Sequence, residues 1–208
     1  DKAGERFHVV PNGVDAAYWE AGEAGDVRAR HGLPEDAPLA LFVGGFWPHK
    51  EVDTLIEATA LTQEIHLVLA GPDRGRAEEI RALARSLGVE ARVHMVGAVD
   101  RDELRALYHA CDVHASASNN EGFGLTFLEA MACGKPVVAR PVGVIPDLVD
   151  QDGVVEVAKD PQGFAASMTR LAATPAPGNV ALARTYDWER ILDQVEALYE
   201  RVAQEGSP

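Results

Sequence analysis

The chain has 208 residues, with 33 acidic against 19 basic side chains and a formal net charge of −14. Hydrophobic residues make up 47%, too many for a disordered chain and enough for one α/β domain or one domain with a short appendage. The acidic excess argues against broad binding to nucleic acid or anionic membranes, which needs clustered Lys and Arg, although a helix N-terminus can still hold a small anion.

No apolar run reaches the ~20 residues of a membrane-spanning helix, and no signal peptide is visible. The opening "DKAGERFHVVPNGVD" lacks an initiator Met and reads as a piece of something longer. The two cysteines, Cys111 and Cys133, lie in apolar surroundings without a second ligand at metal spacing, and read as small core residues. Sparse cysteine use suits a reducing compartment.

In chain order, "PLALFVGG" reads as a buried strand ending in glycines, and "DTLIEATALT" as a helix with Leu55, Ile56, Thr59 and Ala60 on one face. "IHLVLAG" is a second strand and "RAEEIRALARSLG" a helix closed by Gly88. "ARVHMVG" is a third strand, followed by the helix "DRDELRALYHAC", whose acids suit its N-terminus. "DVHASAS", "KPVVARP" and "GVVEVA" are further strands. Between them lie the helix "GLTFLEAMACG", closed by Gly134, and a short helix or turn, "IPDLVDQDG". A helix "DPQGFAASMTRLAA" with Pro161 in its first turn follows, then a break, "TPAPGN", at residues 174–179. The last helix spans about residues 187–203, with Ile191, Leu192, Val195, Leu198, Tyr199 and Val202 at helical spacing. Trp188 and Tyr199 read as its packing anchors.

This rhythm predicts an α/β fold: a doubly wound, mostly parallel Rossmann-like sheet with helices on both faces, plus a C-terminal amphipathic helix. The division expected is a leading linker over residues 1–15, a Rossmann-like domain over 16–173, and the break with the final helix over 174–208. Ligands of such sheets bind beyond the strands' carboxyl ends. Here those ends are Gly44 and Gly45, Gly71, Gly97 and residues 116–120.

The stretch "NNEGFGLTFLEAMACGKPVVA" carries the chemistry. With a helix starting near Gly124, the N–H groups of Gly124, Leu125 and Thr126 form an anion site. Glu121 stands before that tip and Glu129 roughly 7 Å along the axis from it. A carboxylate beside an anion is costly unless it meets hydroxyl donors. A nucleotide-sugar offers ribose, diphosphate and sugar in the order acid, tip, acid. The same residues also fit ordinary helix capping, with Glu129 an exposed helix residue.

At this point a resemblance adds to the reading. "EGFGLTFLEAMACGKPVVA" resembles the signature of family 4 retaining glycosyltransferases, two glutamates with seven residues between them. "VVPNGVD", "LFVGGFWPHKEVDTLIEA", "VHMVGAVDRDELRALYHACDVHASAS", "VGVIPDLVDQDG" and the terminal "YDWERILDQVEALYER" follow the same family's pattern. The similarity covers nearly the whole chain. It implies the C-terminal, donor-binding half of a GT-B-type enzyme, without the acceptor-binding N-terminal domain. Carried over, Glu129 would bind ribose hydroxyls and Glu121 the transferred sugar. Phe123, Gly124, Leu125 and Thr126 would receive the sugar and diphosphate through backbone N–H groups. Lys50 would neutralise the leaving diphosphate, near Gly44 and Gly45, while Val96 and Gly97 would lie against the base. The family usually works without a bound metal, so the expected ligand is a nucleotide-diphosphate sugar alone. The implied setting is cytoplasmic, with membrane-peripheral attachment through the missing half. The half-enzyme is expected to be inactive alone. A sugar-nucleotide epimerase of GT-B type and a non-catalytic nucleotide-sugar-binding module are the alternatives.

Three positions depart from the family pattern. Gly45 stands where an Arg is common, which removes a forked phosphate clamp; His49, Arg74 and Arg140 are the candidates to replace it. Ala117 stands for a frequent Pro. Glu51 stands for a frequent Gly and reads as a helix N-terminal acid. His66, His94 and His109 read as surface or hydrogen-bonded residues, and His114 as a core residue or part of the pocket lining. The chain lacks G-x-G-x-x-G, P-loop and G-x-S-x-G patterns.

Overall fold

Six short apolar runs become the strands of one parallel sheet in the computed structural model, which describes residues 8–149 and 151–205. They are β1 (Leu39–Val43), β2 (His66–Ala70), β3 (Val93–Gly97), β4 (Val113–Ser116), β5 (Val137–Ala139) and β6 (Val155–Val157). The order is β3-β2-β1-β4-β5-β6, every neighbouring pair being parallel. The chain walks outward from β1 to β3, then returns to lay β4 on the other side of β1. Open α/β sheets bind ligands where the strand order reverses in this way, beyond the carboxyl ends of β1 and β4.

Both sheet faces are covered, which is why the strands read as nearly continuous apolar runs rather than alternating ones. Side chains still alternate. Leu39 and Leu41 enter one layer, and Ala40 and Phe42 the other. The first layer holds α1 (Ala16–Glu20), α2 (Val27–Arg30), α5 (Arg101–Ala110), α6 (Leu125–Ala132), α7 (Ile145–Leu148) and α9 (Pro177–Arg184). The second holds α3 (Val52–Leu61), α4 (Ala77–Ser86) and α8 (Pro161–Leu171). Phe42, Phe127 and Phe164 are wholly inaccessible, each contributing about 2 kcal/mol by burial. Cys111 and Cys133 are free and buried, as the sequence suggested; burial pushes the Cys111 thiol up to about 12 and the Cys133 thiol higher.

Three helices went unread in the sequence: α1, α2 and α9. The 174–179 segment reads as a break because of its prolines and glycine. Pro177 instead occupies the first turn of α9, where a missing N–H costs nothing. The helix packs on α6 and buries Asn179 and Ala183.

The described ends of the chain meet. Val14 pairs with Asp187, its N–H donating to the Tyr186 carbonyl at 2.8 Å, while the Trp188 N–H donates to the Val14 carbonyl. The final helix, α10 (Trp188–Glu205), buries Ile191 but leaves Leu192 and Val202 exposed. Tyr199 is 73% exposed and Trp188 46%. Tyr199 is therefore not a packing anchor, and Trp188 is at most half of one, lying against Gly13. Residues 1–7 of the leading linker and 206–208 of the tail fall outside the described residues. Among those described, no helix is long and apolar enough to cross a membrane.

Candidate functional site

The loops after β1, β2 and β4 converge at the carboxyl edge. The Gly44 N–H donates to the Ala70 carbonyl at 2.9 Å, and the Gly71 N–H to the Gly97 carbonyl at 2.7 Å. A Cβ on Gly71, whose φ is +145°, would fall 2.1 Å from the Gly44 carbonyl oxygen. Only glycine lets these loops approach so closely. After Gly45 the chain makes a short 3₁₀ turn, Pro48–Lys50, that presents Lys50 toward the loop after β4.

That second loop enters α6 through Gly124, whose φ is +91°. A Cβ there would meet the Phe127 ring at 2.5 Å, so both backbone and space demand glycine. No side chain caps the helix, and its first turn carries no acid. Among the described residues the N–H groups of Gly124, Leu125 and Thr126 find no hydrogen-bond acceptor. The far end of α6 is closed conventionally: Gly134 N–H donates to the Met131 carbonyl and Lys135 N–H to that of Ala130. One end of this helix is thus satisfied and the other is a bare donor cluster, carrying the positive end of the helix dipole.

The two glutamates flank that tip in different ways. Glu121 accepts from Lys50 Nζ at 2.7 Å, and both side chains are largely buried, which shields the pair from salt. Glu129 lies one turn inside α6, roughly 6 Å past Leu125 along the axis. Its Oε2 accepts from the Tyr108 hydroxyl at 3.0 Å. Burial raises the Glu129 carboxyl above its ordinary range, while the Tyr108 bond and the Arg101 charge pull the other way. Burial and the neighbouring carboxylate also hold the Tyr108 phenol well above its usual range.

The structure brings Lys50, Glu121, Gly44, Gly45 and the residues 123–126 to one rim. Phe123 stands there with its carbonyl accepting from Val144 N–H at 2.8 Å and its ring 6.2 Å from that of Tyr186. Val96 and Gly97 end β3, an edge strand two places from β1, and join the rim through the Gly97 carbonyl, which accepts from the Gly71 N–H. His114 does not line an open pocket. It is buried between Tyr108 and Phe127, its pKa is pushed down to about 3 by burial, and neither ring nitrogen makes a full hydrogen bond, Leu41 offering only a weak backbone contact. His66 and His94 bond to each other at 2.9 Å, and His109 to the Trp19 carbonyl.

Glu51 stands at the N-terminus of α3, as expected, but in a left-handed conformation, φ 44°, and its side chain makes no capping bond to the helix. Its carboxylate instead binds Arg140 and Asn119. Tyr108 was missed altogether: within "ELRALYHAC" it reads as one more core residue, and only the fold shows its hydroxyl beneath Glu129. Among the described residues no group of three or more His, Cys, Asp and Glu is placed to hold a metal.

The model of the family described as glycosyl transferases group 1 matches residues 24–186. A D-inositol 3-phosphate glycosyltransferase of Thermomonospora curvata is 37% identical, the match taking in 94% of this chain and 51% of the relative. Among solved structures, the sucrose-phosphate synthase of Thermosynechococcus elongatus superposes with a TM-score of 0.79 at 30% identity, over 96% of this chain and 53% of that one. The Anabaena protein HepE in complex with UDP-glucose does so with a TM-score of 0.83 at 26% identity, over 95% and 58%. The chain spans about half the length of the curated relatives it matches.

Proposed function

Because this chain belongs to the group 1 glycosyl transferases, we propose that it is the donor-binding half of a retaining enzyme that moves a sugar from a nucleotide diphosphate to an acceptor. The observation that carries this reading is the bare tip of α6, three N–H groups without an acceptor among the described residues, with the Lys50–Glu121 pair beside them. The tip and Lys50 take the diphosphate. Glu121, released from Lys50, accepts from sugar hydroxyls, and the half-buried Glu129 accepts from the ribose. Val96 and Gly97 meet the base through backbone. HepE, a structural relative, was solved with UDP-glucose, a donor of this class.

The chemistry asked of this half is placement and charge stabilisation. As the bond to the diphosphate breaks, negative charge grows on the leaving oxygen, and Lys50 and the helix dipole face it. That oxygen takes the acceptor's proton, so the acceptor attacks from the face the diphosphate leaves and the configuration is kept. Charge neutralisation is assigned to protein groups, without a metal ion. The acceptor's contacts come from an N-terminal half, which also makes any membrane contact in a cytoplasmic setting.

Calorimetric titration with UDP, GDP and ADP and their glucose and mannose conjugates tests the site. A turnover assay on this chain, with D-inositol 3-phosphate as the first acceptor, tests the division of labour. Binding of one diphosphate series with negligible transfer is expected. Robust transfer by this chain alone refutes the half-enzyme; absence of nucleotide binding refutes the site.

A further inference from the structure

Gly44 and Gly45 lie between cations from two loops. Lys50 Cε lies 3.8 Å from where a Gly44 Cβ would stand, and Arg74 Nε 3.3 Å from where a Gly45 Cβ would stand. Consecutive Cα atoms are only about 3.8 Å apart, so both side chains overhang one short piece of backbone at the rim. The cations differ in their partners. Lys50 holds Glu121. Arg140 holds Glu51 and the Ala117 carbonyl, and Arg76 holds Asp53 and Glu79. Arg74 has no carboxylate partner among the described residues; the neighbouring Asp73 carboxylate is engaged with the Ala77 N–H at the start of α4.

What Arg74 does have is a shelf. Its guanidinium lies 4.9 Å from the centre of the Trp47 ring, whose edge also borders Gly45. The ring face attracts the cation without using its N–H donors, none of which has an acceptor among the described residues. Its backbone is left-handed, φ 58°, and among the described residues only Glu51 is another non-glycine with positive φ. Strain of this kind persists where the surrounding structure enforces a side-chain position.

Resting on the donor site proposed above, we infer that Arg74, reaching in from the loop after β2, is a diphosphate-binding residue of this chain, filling the space over Gly45 with a forked cation. The other two candidates fit less well. Arg140 is already neutralised by Glu51. His49 is exposed in the 3₁₀ turn, and an imidazole cannot fork onto two phosphate oxygens as a guanidinium does.

The test titrates the full chain and its Arg74→Gln, Arg74→Lys and Arg74→Gly variants with UDP, GDP and ADP, and with the monophosphate of whichever base binds. Loss of a forked, charged contact is expected to weaken diphosphate binding about tenfold or more, with monophosphate binding changed by no more than about twofold. Arg74→Lys is expected to fall between the wild type and Arg74→Gln. Arg74→Gly relieves the left-handed strain, so its unfolding midpoint stays level or rises while diphosphate affinity still falls. A merely structural arginine cannot give that combination. Unchanged diphosphate affinity in Arg74→Gln and Arg74→Gly overturns the assignment and leaves the donor site standing. Failure of the wild type to bind any of the three diphosphates takes away both.

Discussion

At the amino end of the sheet, Asp112 accepts from the Leu39 N–H at 2.8 Å and meets Arg28, whose guanidinium also gathers the carbonyls of Pro34, Glu35, Ala37 and Ala110. Asn179, wholly buried, accepts from the Val154 N–H at 2.6 Å and donates to the Lys135 carbonyl at 2.7 Å. At the carboxyl end side chains pair with one another as well, Lys50 with Glu121, Arg140 with Glu51 and Tyr108 with Glu129, while Arg140 also holds the Ala117 carbonyl. Among the described residues the backbone donors of Gly124, Leu125 and Thr126 are left over. Backbone polar groups inside proteins are nearly always paired. At the amino end polar side chains satisfy backbone groups, which favours stability; at the carboxyl end the proposed donor site would draw on the donors left over at the tip of α6.

The largest expected effect falls on the amino end. Asn179→Ala strips two short hydrogen bonds and leaves the Val154 N–H unsatisfied, so denaturant unfolding is expected to show a loss of about 3 kcal/mol. Nucleotide affinity of the folded variant should stay within about twofold. A large drop in affinity would erase the division between the two ends.

A smaller effect belongs to His114, a buried polar group on β4 that follows neither end's rule. Its folded pKa is depressed to about 3, so the unfolded chain takes up a proton below the ordinary histidine value while the folded chain does not. The stability this residue permits is fully present above about pH 6.5 and drains away as pH falls toward 3, by about 2 kcal/mol between pH 7.5 and pH 5. His114→Phe is expected to flatten that slope in urea unfolding measured across the range. An unaltered slope would mean that the proton uptake lies elsewhere.

The smallest change tests the carboxyl end. Glu129→Gln keeps the shape of the side chain and removes its charge. Donor affinity should fall about tenfold, some 1.4 kcal/mol, with stability at pH 7 equal or higher, because burying the ionised carboxyl is what raises its pKa. In the wild type, nucleotide affinity should decline on acidification at a pH above the ordinary carboxylate range, and the Gln variant should lack that limb. Equal affinity in both proteins would leave Glu129 as a packing residue bonded to Tyr108.

Much of this was legible beforehand because its causes are local. Strands buried on both faces are apolar along most of their length; β1 and β5 are wholly so, while His66, His94, His114, Ser116 and Glu156 interrupt the others. Gly124 and Gly134 mark the two ends of α6 because only glycine takes their conformations cheaply. Helical rise sets Glu129 about one turn past the tip of α6, while Glu121 lies in the loop before it. By contrast, α9 was hidden by Pro177 and Gly178, whose usual meaning as loop punctuation was overridden by packing on α6. Tyr199 satisfied a helical period yet faces outward, since periodicity says which residues share a face and not what covers it.

The order of elements, the parallel sheet, the family and the bare tip of α6 were therefore determined by the sequence, through periodicities and backbone preferences that act within a few residues. Which charges meet was decided only by the tertiary structure. Lys50 and Glu121 are 71 residues apart, Arg140 and Glu51 are 89 apart, and Tyr108 and Glu129 are 21 apart. Arg74 joins the rim through a loop from the neighbouring strand. Such pairings depend on which strands lie side by side, a property of the whole sheet that no local stretch of chain carries.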